Sequence, residues 1–210
     1  MFSVKGGTAS SPMTGLPGYI LGSAGPSGFG ASSTADQSAR VLASRGAEVI
    51  IAARDPAKAA AAAGKIKAQH PSATVSTLQL DLSSLESVKA AAEQYVAGGK
   101  PLHVLMLNAG VMACPYGLTK DGHETQFGTN HLGHFALVHR LQGVLEATAR
   151  SSGEPGRVVV LASSAHFGPY MPEGVRSEET IDSKEGYSPW GAYGQSKLCN
   201  VLFARNPSHL

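Results

Sequence analysis

"AEVIIAARDPAKAAAAAGKIKAQHPSATVSTLQL" (47–80) holds two apolar runs with a helix-forming stretch between them. The first run, "AEVIIAA" (47–53), has the length and β-branched content of a short strand. Asp55 then offers a side-chain oxygen to the free N–H groups of a helix start. Pro56 suits the first helical position, where a missing N–H costs no bond. The alanines carry that helix to about Gln69. "AKAAAAAGK" is a helix former and not a functional repeat. "TVSTLQL" (74–80) alternates and predicts a second strand. A strand, a helix and a strand in succession form a crossover unit, the building block of a parallel sheet.

The same alternation extends in both directions. Toward the N-terminus, Thr34 and Gln37 have capping-box spacing and open a helix that Gly46 ends. Toward the C-terminus, Ser83 caps a helix that stops before Gly98-Gly99. "LHVLMLN" (102–108) is a continuous apolar run, as expected of a strand buried on both faces. A helical stretch covers 123–149, and "RVVVLAS" (157–163) is the next buried strand. A connection of about 28 residues follows, long enough to be functional or mobile, before a last helix starts near Ala192. The fold class is α/β, a doubly wound parallel sheet with helices on both faces. Ligands of such sheets bind beyond the carboxyl ends of the strands. Arg54, Asp81, Asn108 and Ser164 each follow a successive strand and fall there.

Composition narrows the function. The chain has 210 residues, enough for one domain with a real core; 42% are hydrophobic, 15% are charged, and the net charge is +2. No apolar run approaches the roughly 18 residues of a membrane span, and no basic block suggests nucleic acid. Cys114 and Cys199 lie far apart, which fits a reducing compartment and no disulfide framework. The first 30 residues are rich in Gly, Ser and Pro with Lys5 as the sole charge, and read as a flexible leader. The location expected is cytoplasm or plastid.

"YGQSK" (193–197) carries the chemistry. Tyr193 and Lys197 stand at i and i+4, on one helix face. Tyr and Lys ordinarily titrate near 10 and 10.4, and bringing a tyrosine to about 7 takes about 4 kcal/mol of differential stabilisation. A nearby ammonium supplies part of that, and the phenol can then exchange a proton with a carbonyl or alcohol oxygen. His131 and His134 lack the acidic partner of a zinc motif and read as helix residues. His166 lies near Ser164, but no nucleophile elbow accompanies it, which argues against a hydrolase.

Beside that pair, "GAEVIIAAR" (46–54), "LDLSSLESV" (80–88), "LNAG" (107–110), "NHLGHF" (130–135), "VVVLASSAH" (158–166) and "GAYGQSKLCNVLFA" (191–204) occur in order. Together they closely resemble the short-chain dehydrogenase/reductase family over residues 36–204. The subgroup is that of the retinol dehydrogenases, the WW-domain oxidoreductases and the plant reductases associated with the plastid translocon. The resemblance implies a Rossmann-like sheet and an oxidoreductase. In it Tyr193 is the acid/base, and Lys197 holds the nicotinamide ribose and tunes Tyr193. Ser164, rather than Ser163, bonds the substrate oxygen. Asn130 positions a water between Lys197 and solvent. Asn108, Ala109 and Gly110 border the cofactor, and Asp81, with Leu82 beside it, contacts the adenine. Arg54 stands where the family reads the ribose 2′ position, which favours NADP over NAD. The implied substrate is a small lipophilic carbonyl or alcohol, and pairing of two copies through the last two helices is a family habit.

The resemblance also raises a conflict at the N-terminus. The family's first strand ends in TGxxxGxG, and the pyrophosphate sits on the helix that follows. Fitting Gly28 and Gly30 to the last two glycines leaves "YIL" (19–21) as the strand, thin for the centre of a sheet, and puts "ASSTADQ" before the helix cap. The expectation is therefore that "GPSGFG" (25–30) belongs to a leader over 1–33, and that the first strand and glycine loop are absent. A partial NAD(P)-binding domain then covers 34–210. Only 13 residues follow Lys197, so the substrate-covering part is expected to be missing too. The alternative function is a truncated pseudoenzyme, a binding or regulatory remnant.

Overall fold

The computed structural model describes residues 19–22, 31–172 and 174–205. Among these residues five parallel strands stand in the order β3-β2-β1-β4-β5. They are β1 (Tyr19–Gly22), β2 (Val49–Ala53), β3 (Val75–Gln79), β4 (Val104–Leu107) and β5 (Arg157–Val160). The chain winds outward from β1 to β3, returns to β4 on the other side, and continues to β5. The reversal falls between β1 and β4, where the carboxyl ends of the strands open a crevice.

β2 shows why its sequence is apolar without a break. Ile50 and Ala52 point into one core, with Leu105 and Leu107 of β4. Val49, Ile51 and Ala53 point into the other, with Val104. Side chains alternate along a strand, so burial on two faces needs apolar residues at every position. The helix α1 (Ala31–Ser44) presents Ala39 and Ala43 to the second core, and α2 (Pro56–Gln69) presents Ala59, Ala63 and Ile66. The first core is closed by Val88, Ala91 and Tyr95 of α3 (Leu85–Ala97) and by Leu137, Val138 and Leu141 of α5 (Gly133–Ser152). Between α3 and α5 lies a short α4 (Thr125–Phe127), followed by a π turn over Gly128–Leu132. After β5 come a 3-10 turn (Ser164–Phe167), α6 (Glu178–Ile181) and α7 (Pro189–Arg205).

The absent first strand is corrected here. Backbone Tyr19–Gly22 pairs on both edges: Tyr19 is opposite Val49 of β2 and also opposite Val104 of β4. A central strand gains ladder hydrogen bonds from two neighbours, so its own apolar length is a poor guide to its presence. Part of the expected leader thus stands inside the sheet, whereas the glycine stretch 25–30 lies outside the described residues. α1 starts at Ala31, so Thr34 sits inside the helix and not at its cap. First-turn N–H groups have no intrahelical partner to lose, which makes an earlier start cheap for "ASS".

Four smaller expectations change. Ser84 caps α3, because Asp81 holds Ser83 instead, accepting from its backbone N at 3.0 Å and its hydroxyl at 2.6 Å. The helix expected over 123–149 is divided by the π turn and runs on to Ser152. α7 starts at Pro189, which suits a first helical position. β5 is half-open: Val158 and Val160 pack on the first core, but Val159 is 43% exposed. An apolar run predicts two buried faces, and among the described residues β5 stands at the edge of the sheet with cover on one. The expected Asp55 cap is present, accepting from Ala57 N at 2.9 Å and Lys58 N at 3.2 Å.

Candidate active site

β4 ends at Leu107, and Asn108, Ala109 and Gly110 follow at the mouth of the crevice. Asn130 holds this loop. The π turn brings it to the loop fully buried, where its Oδ1 accepts from Val111 N at 2.7 Å. Its Nδ2 donates to Val111 O and to Ser196 Oγ, both at 2.9 Å. One side chain therefore ties the β4 loop to α7. Gly110 has no space for a side chain: a Cβ there would lie 2.8 Å from Asn130 Oδ1 and 3.7 Å from Lys197 Nζ.

α7 brings Tyr193 and Lys197 to the same place. Lys197 is 3% exposed and donates from Nζ to Leu161 O at 3.1 Å, just beyond β5. Its ammonium lies 5.6 Å from the centroid of the Tyr193 ring. Burial lowers the Lys197 amine from 10.5 to about 8. Tyr193 is half-buried, with the Trp190 ring edge-on at 6.1 Å. Ser164 is exposed and opens the 3-10 turn, while Ser163 caps that turn by accepting from Ala165 N at 3.3 Å. The turn lies close against α7: a Cβ on Gly194 would come within 2.7 Å of Ala165 O. Asn130, Ser164, Tyr193 and Lys197 thus gather around the ends of β4 and β5.

Asp81 and Leu82 follow β3. Burial raises the Asp81 carboxyl, but the Ser83 hydroxyl and the Lys120 ammonium at 3.1 Å outweigh it and hold the carboxyl below its usual range. Leu82 is buried where α5 begins, against Gly133. Arg54 is exposed just past β2. These residues line the far half of the strand ends, away from Tyr193.

Several residues in the site carried no functional signal. Asn200 is buried and donates to Asn130 O at 3.1 Å and Leu161 O at 3.2 Å. Its place at i+7 from Tyr193, polar within the apolar "LCNVLFA", was the available clue. The long connection is pinned at several points, contrary to a mobile segment. Gln195 pairs both its amide groups with the Arg176 backbone at 2.9 Å. Tyr187 donates to Cys114 O at 2.9 Å, and Gln126 donates to Pro189 O at 2.8 Å. Glu124, nearly fully buried, caps α4 at this junction, and burial pushes its carboxyl up. His131 in the π turn meets Asn200 Oδ1 of α7, and His134 meets Asn130 O.

His134 gives the site a pH signature. Burial lowers its imidazole from 6.5 to about 4, with the Asn130 carbonyl opposing and Lys197 adding to the effect. Between these values the unfolded chain binds a proton that the folded chain refuses. Stability is therefore fully present above pH 6.5 and falls toward pH 4, by about 3 kcal/mol in all. Denaturant midpoints measured across this range are expected to show that slope, and His134→Gln is expected to flatten it. An unchanged acid slope in the variant would assign it to other groups.

Residues 25–175 match the sequence profile described as short chain dehydrogenase, well over half of the chain. The chain belongs to the short-chain dehydrogenase family. "Short-chain dehydrogenase TIC 32 B, chloroplastic" of Brassica napus is 42% identical, over 88% of this chain and 65% of its own length. "Retinol dehydrogenase 12" of Mus musculus is 45% identical, over 80% of this chain and 50% of its own. The chain therefore spans about two thirds or less of these curated relatives. An uncharacterized protein from Mycobacterium Paratuberculosis has a similar crystal structure, with a TM-score of 0.67 and 36% identity over 95% of this chain and 68% of that one. A short-chain dehydrogenase from Sphingobium yanoikuyae, solved in complex with NADPH, shares the fold at a TM-score of 0.64 and 20% identity, over 91% of this chain and 64% of that one. Within this family the sheet is the Rossmann-like fold, and the described part covers a portion of it. No helix among the described residues is long and apolar enough to cross a membrane.

Proposed function

We propose that this short-chain dehydrogenase is an NADP(H)-dependent oxidoreductase acting on a lipophilic carbonyl or alcohol, with Tyr193 as acid/base. The observation that carries the reading is the buried Lys197 ammonium beside Tyr193, between the Leu161 carbonyl and the Gly110 loop. The residues present fit a nicotinamide dinucleotide. Asn108 Nδ2 is buried without a partner among the described residues, and buried amides normally have one. Lys197 has three N–H donors, one of them on Leu161. Gly110, lacking a side chain, lets Asn130 and Lys197 approach the loop after β4 closely. When bound, the cofactor supplies or accepts the hydride.

The chain's own residues do the rest. Tyr193 gives its phenolic proton to the carbonyl oxygen in reduction and takes it back in oxidation. The Lys197 ammonium, present at neutral pH because its amine titrates at about 8, stabilises the phenolate. Ser164 orients the oxygen. Asn130 has a different task from the water-binding one expected. Its carbonyl already accepts from His134 and Asn200, which fills both lone pairs, and its side chain fixes Val111 and Ser196. Asn108, Ala109 and Gly110 border the nicotinamide half, and Asp81 with Leu82 the adenine.

Around Tyr193 the surface is apolar. Phe167 is 82% exposed, Met171 71% and Trp190 60%, which supports a lipophilic substrate. The outward Leu202 leaves α7 an apolar face for pairing of two copies. The chloroplastic relative favours the plastid over the cytoplasm. The intact Tyr193–Lys197 pair speaks against a truncated pseudoenzyme. Consumption of NADPH with a series of medium-chain and aromatic aldehydes tests the reading. Turnover that rises with substrate apolarity is expected, and no consumption at saturating cofactor would contradict it.

Arg54 sets the cofactor choice in this reading. A hydrogen bond to a charged group contributes about 1.5–3 kcal/mol, so Arg54→Ala is expected to weaken NADPH binding about ten- to hundredfold. NADH binding is expected to stay nearly constant. The chain's one tryptophan, Trp190, reports both affinities by fluorescence quenching. Equal weakening for the two cofactors would remove Arg54 from the 2′ position.

A further inference from the structure

α7 buries a polar row on one side: Ser196, Lys197 and Asn200. Ser196 bonds Asn130 and its own helix, and Lys197 faces Tyr193. The side-chain hydrogen bonds of Asn200 go to neither Tyr193 nor the loop after β4, yet every polar atom of that side chain is used. Its amide N–H groups reach two carbonyls outside any ladder, Asn130 O in the π turn and Leu161 O past the end of β5. Its oxygen meets His131 Nδ1 at 3.1 Å. The Leu161 carbonyl is the one that Lys197 Nζ also uses, at 3.1 Å.

A carbonyl oxygen has two lone pairs. Asn200 occupies one on Leu161 and confines the ammonium to the other. A lysine needs such confinement, because its ammonium is a point charge on a four-carbon stem with no preferred fork geometry. Asn200 also joins that carbonyl to the π turn, so the end of β5, the π turn and α7 share one fixed point at the lysine. We infer that Asn200 is a positioning residue for Lys197, holding the Leu161 carbonyl so that the ammonium stays beside Tyr193. This rests on the reading of Tyr193 and Lys197 as the acid/base pair. The titratable groups near the lysine are Tyr193 on its own helix and His131 and His134 across from it.

The test needs no turnover. Lysines of the full chain, without cofactor, are acetylated by acetic anhydride over a range of pH and read by mass spectrometry, with the exposed Lys89 as internal standard. In the wild type, Lys197 is expected to react slowly, with a midpoint near 8. Asn200→Leu frees the ammonium to leave the carbonyl, and its labelling is expected to rise about tenfold relative to Lys89. Asn200→Asp keeps the shape, lacks the N–H donors, and draws the ammonium into an ion pair. Its Lys197 midpoint is expected to rise by about one unit or more. The Asp variant decides the matter if the Leu variant does not fold. A wild-type labelling profile for Lys197 in the folded variants, even with a lowered melting midpoint, would leave Asn200 a structural residue and overturn the inference. Labelling of the wild type with saturating NADPH separates the two claims. Absence of protection there would count against the acid/base reading, while the cofactor-free profiles still decide Asn200.

Discussion

Tyr193→Phe is expected to lower kcat by about 10²–10⁴-fold. The substitution removes one oxygen and keeps the ring, which is half-buried against Trp190 and Lys197. Ground-state contacts change little, so the NADPH Kd and the melting midpoint are expected to stay close to wild type. That pattern, a loss in kcat without a loss in binding, identifies a group that acts in the transition state. Steady-state kinetics with a lipophilic aldehyde, beside a fluorescence titration with NADPH, measure both quantities. A variant that keeps a tenth or more of the wild-type kcat would move the proton transfer to another residue.

Asn130→Ala is expected to have the largest effect on stability, about 3–5 kcal/mol. Val111 loses the partners of both its N–H and its C=O, and Ser196 loses its link to the loop. Each buried polar group left unpaired costs about 1–3 kcal/mol, and the vacated space adds to it. For a domain of this size the midpoint is expected to fall by about 10 °C. Activity falls as well, because the Gly110 loop and α7 are no longer held together at Lys197. A thermal or denaturant melt decides this. A midpoint within about 2 °C of wild type would mean that the loop after β4 keeps its place without Asn130.

The alternation of strands and helices was legible because parallel strands in this sheet bury two faces. An unbroken apolar run such as 104–107 is the physical trace of that burial. The Tyr193–Lys197 pair was legible because helix geometry puts i and i+4 on one face. β1 was not legible. Its identity lies in backbone ladders to β2 and β4, which three apolar residues between glycines do not advertise. The half-open face of β5 was not legible either, since apolar content reports what a strand tolerates and not what covers it. Asn200, Gln126 and Tyr187 were missed for a further reason. Their partners lie 13 to 73 residues away in the chain, so no local spacing reveals them. Side chains that hold a site from behind carry no motif, whereas those that touch the reacting atoms do.

A thermal melt of the chain with and without NADPH shows whether the folded site around Lys197 holds a nicotinamide. At about 100 times Kd a ligand that binds the folded state adds about 2.7 kcal/mol, which raises the midpoint by several degrees. A single cooperative transition is expected that shifts upward with NADPH and less with NADH. A cooperative transition that neither cofactor moves would contradict it, because the arrangement around Lys197 would then be a folded site that holds no nicotinamide.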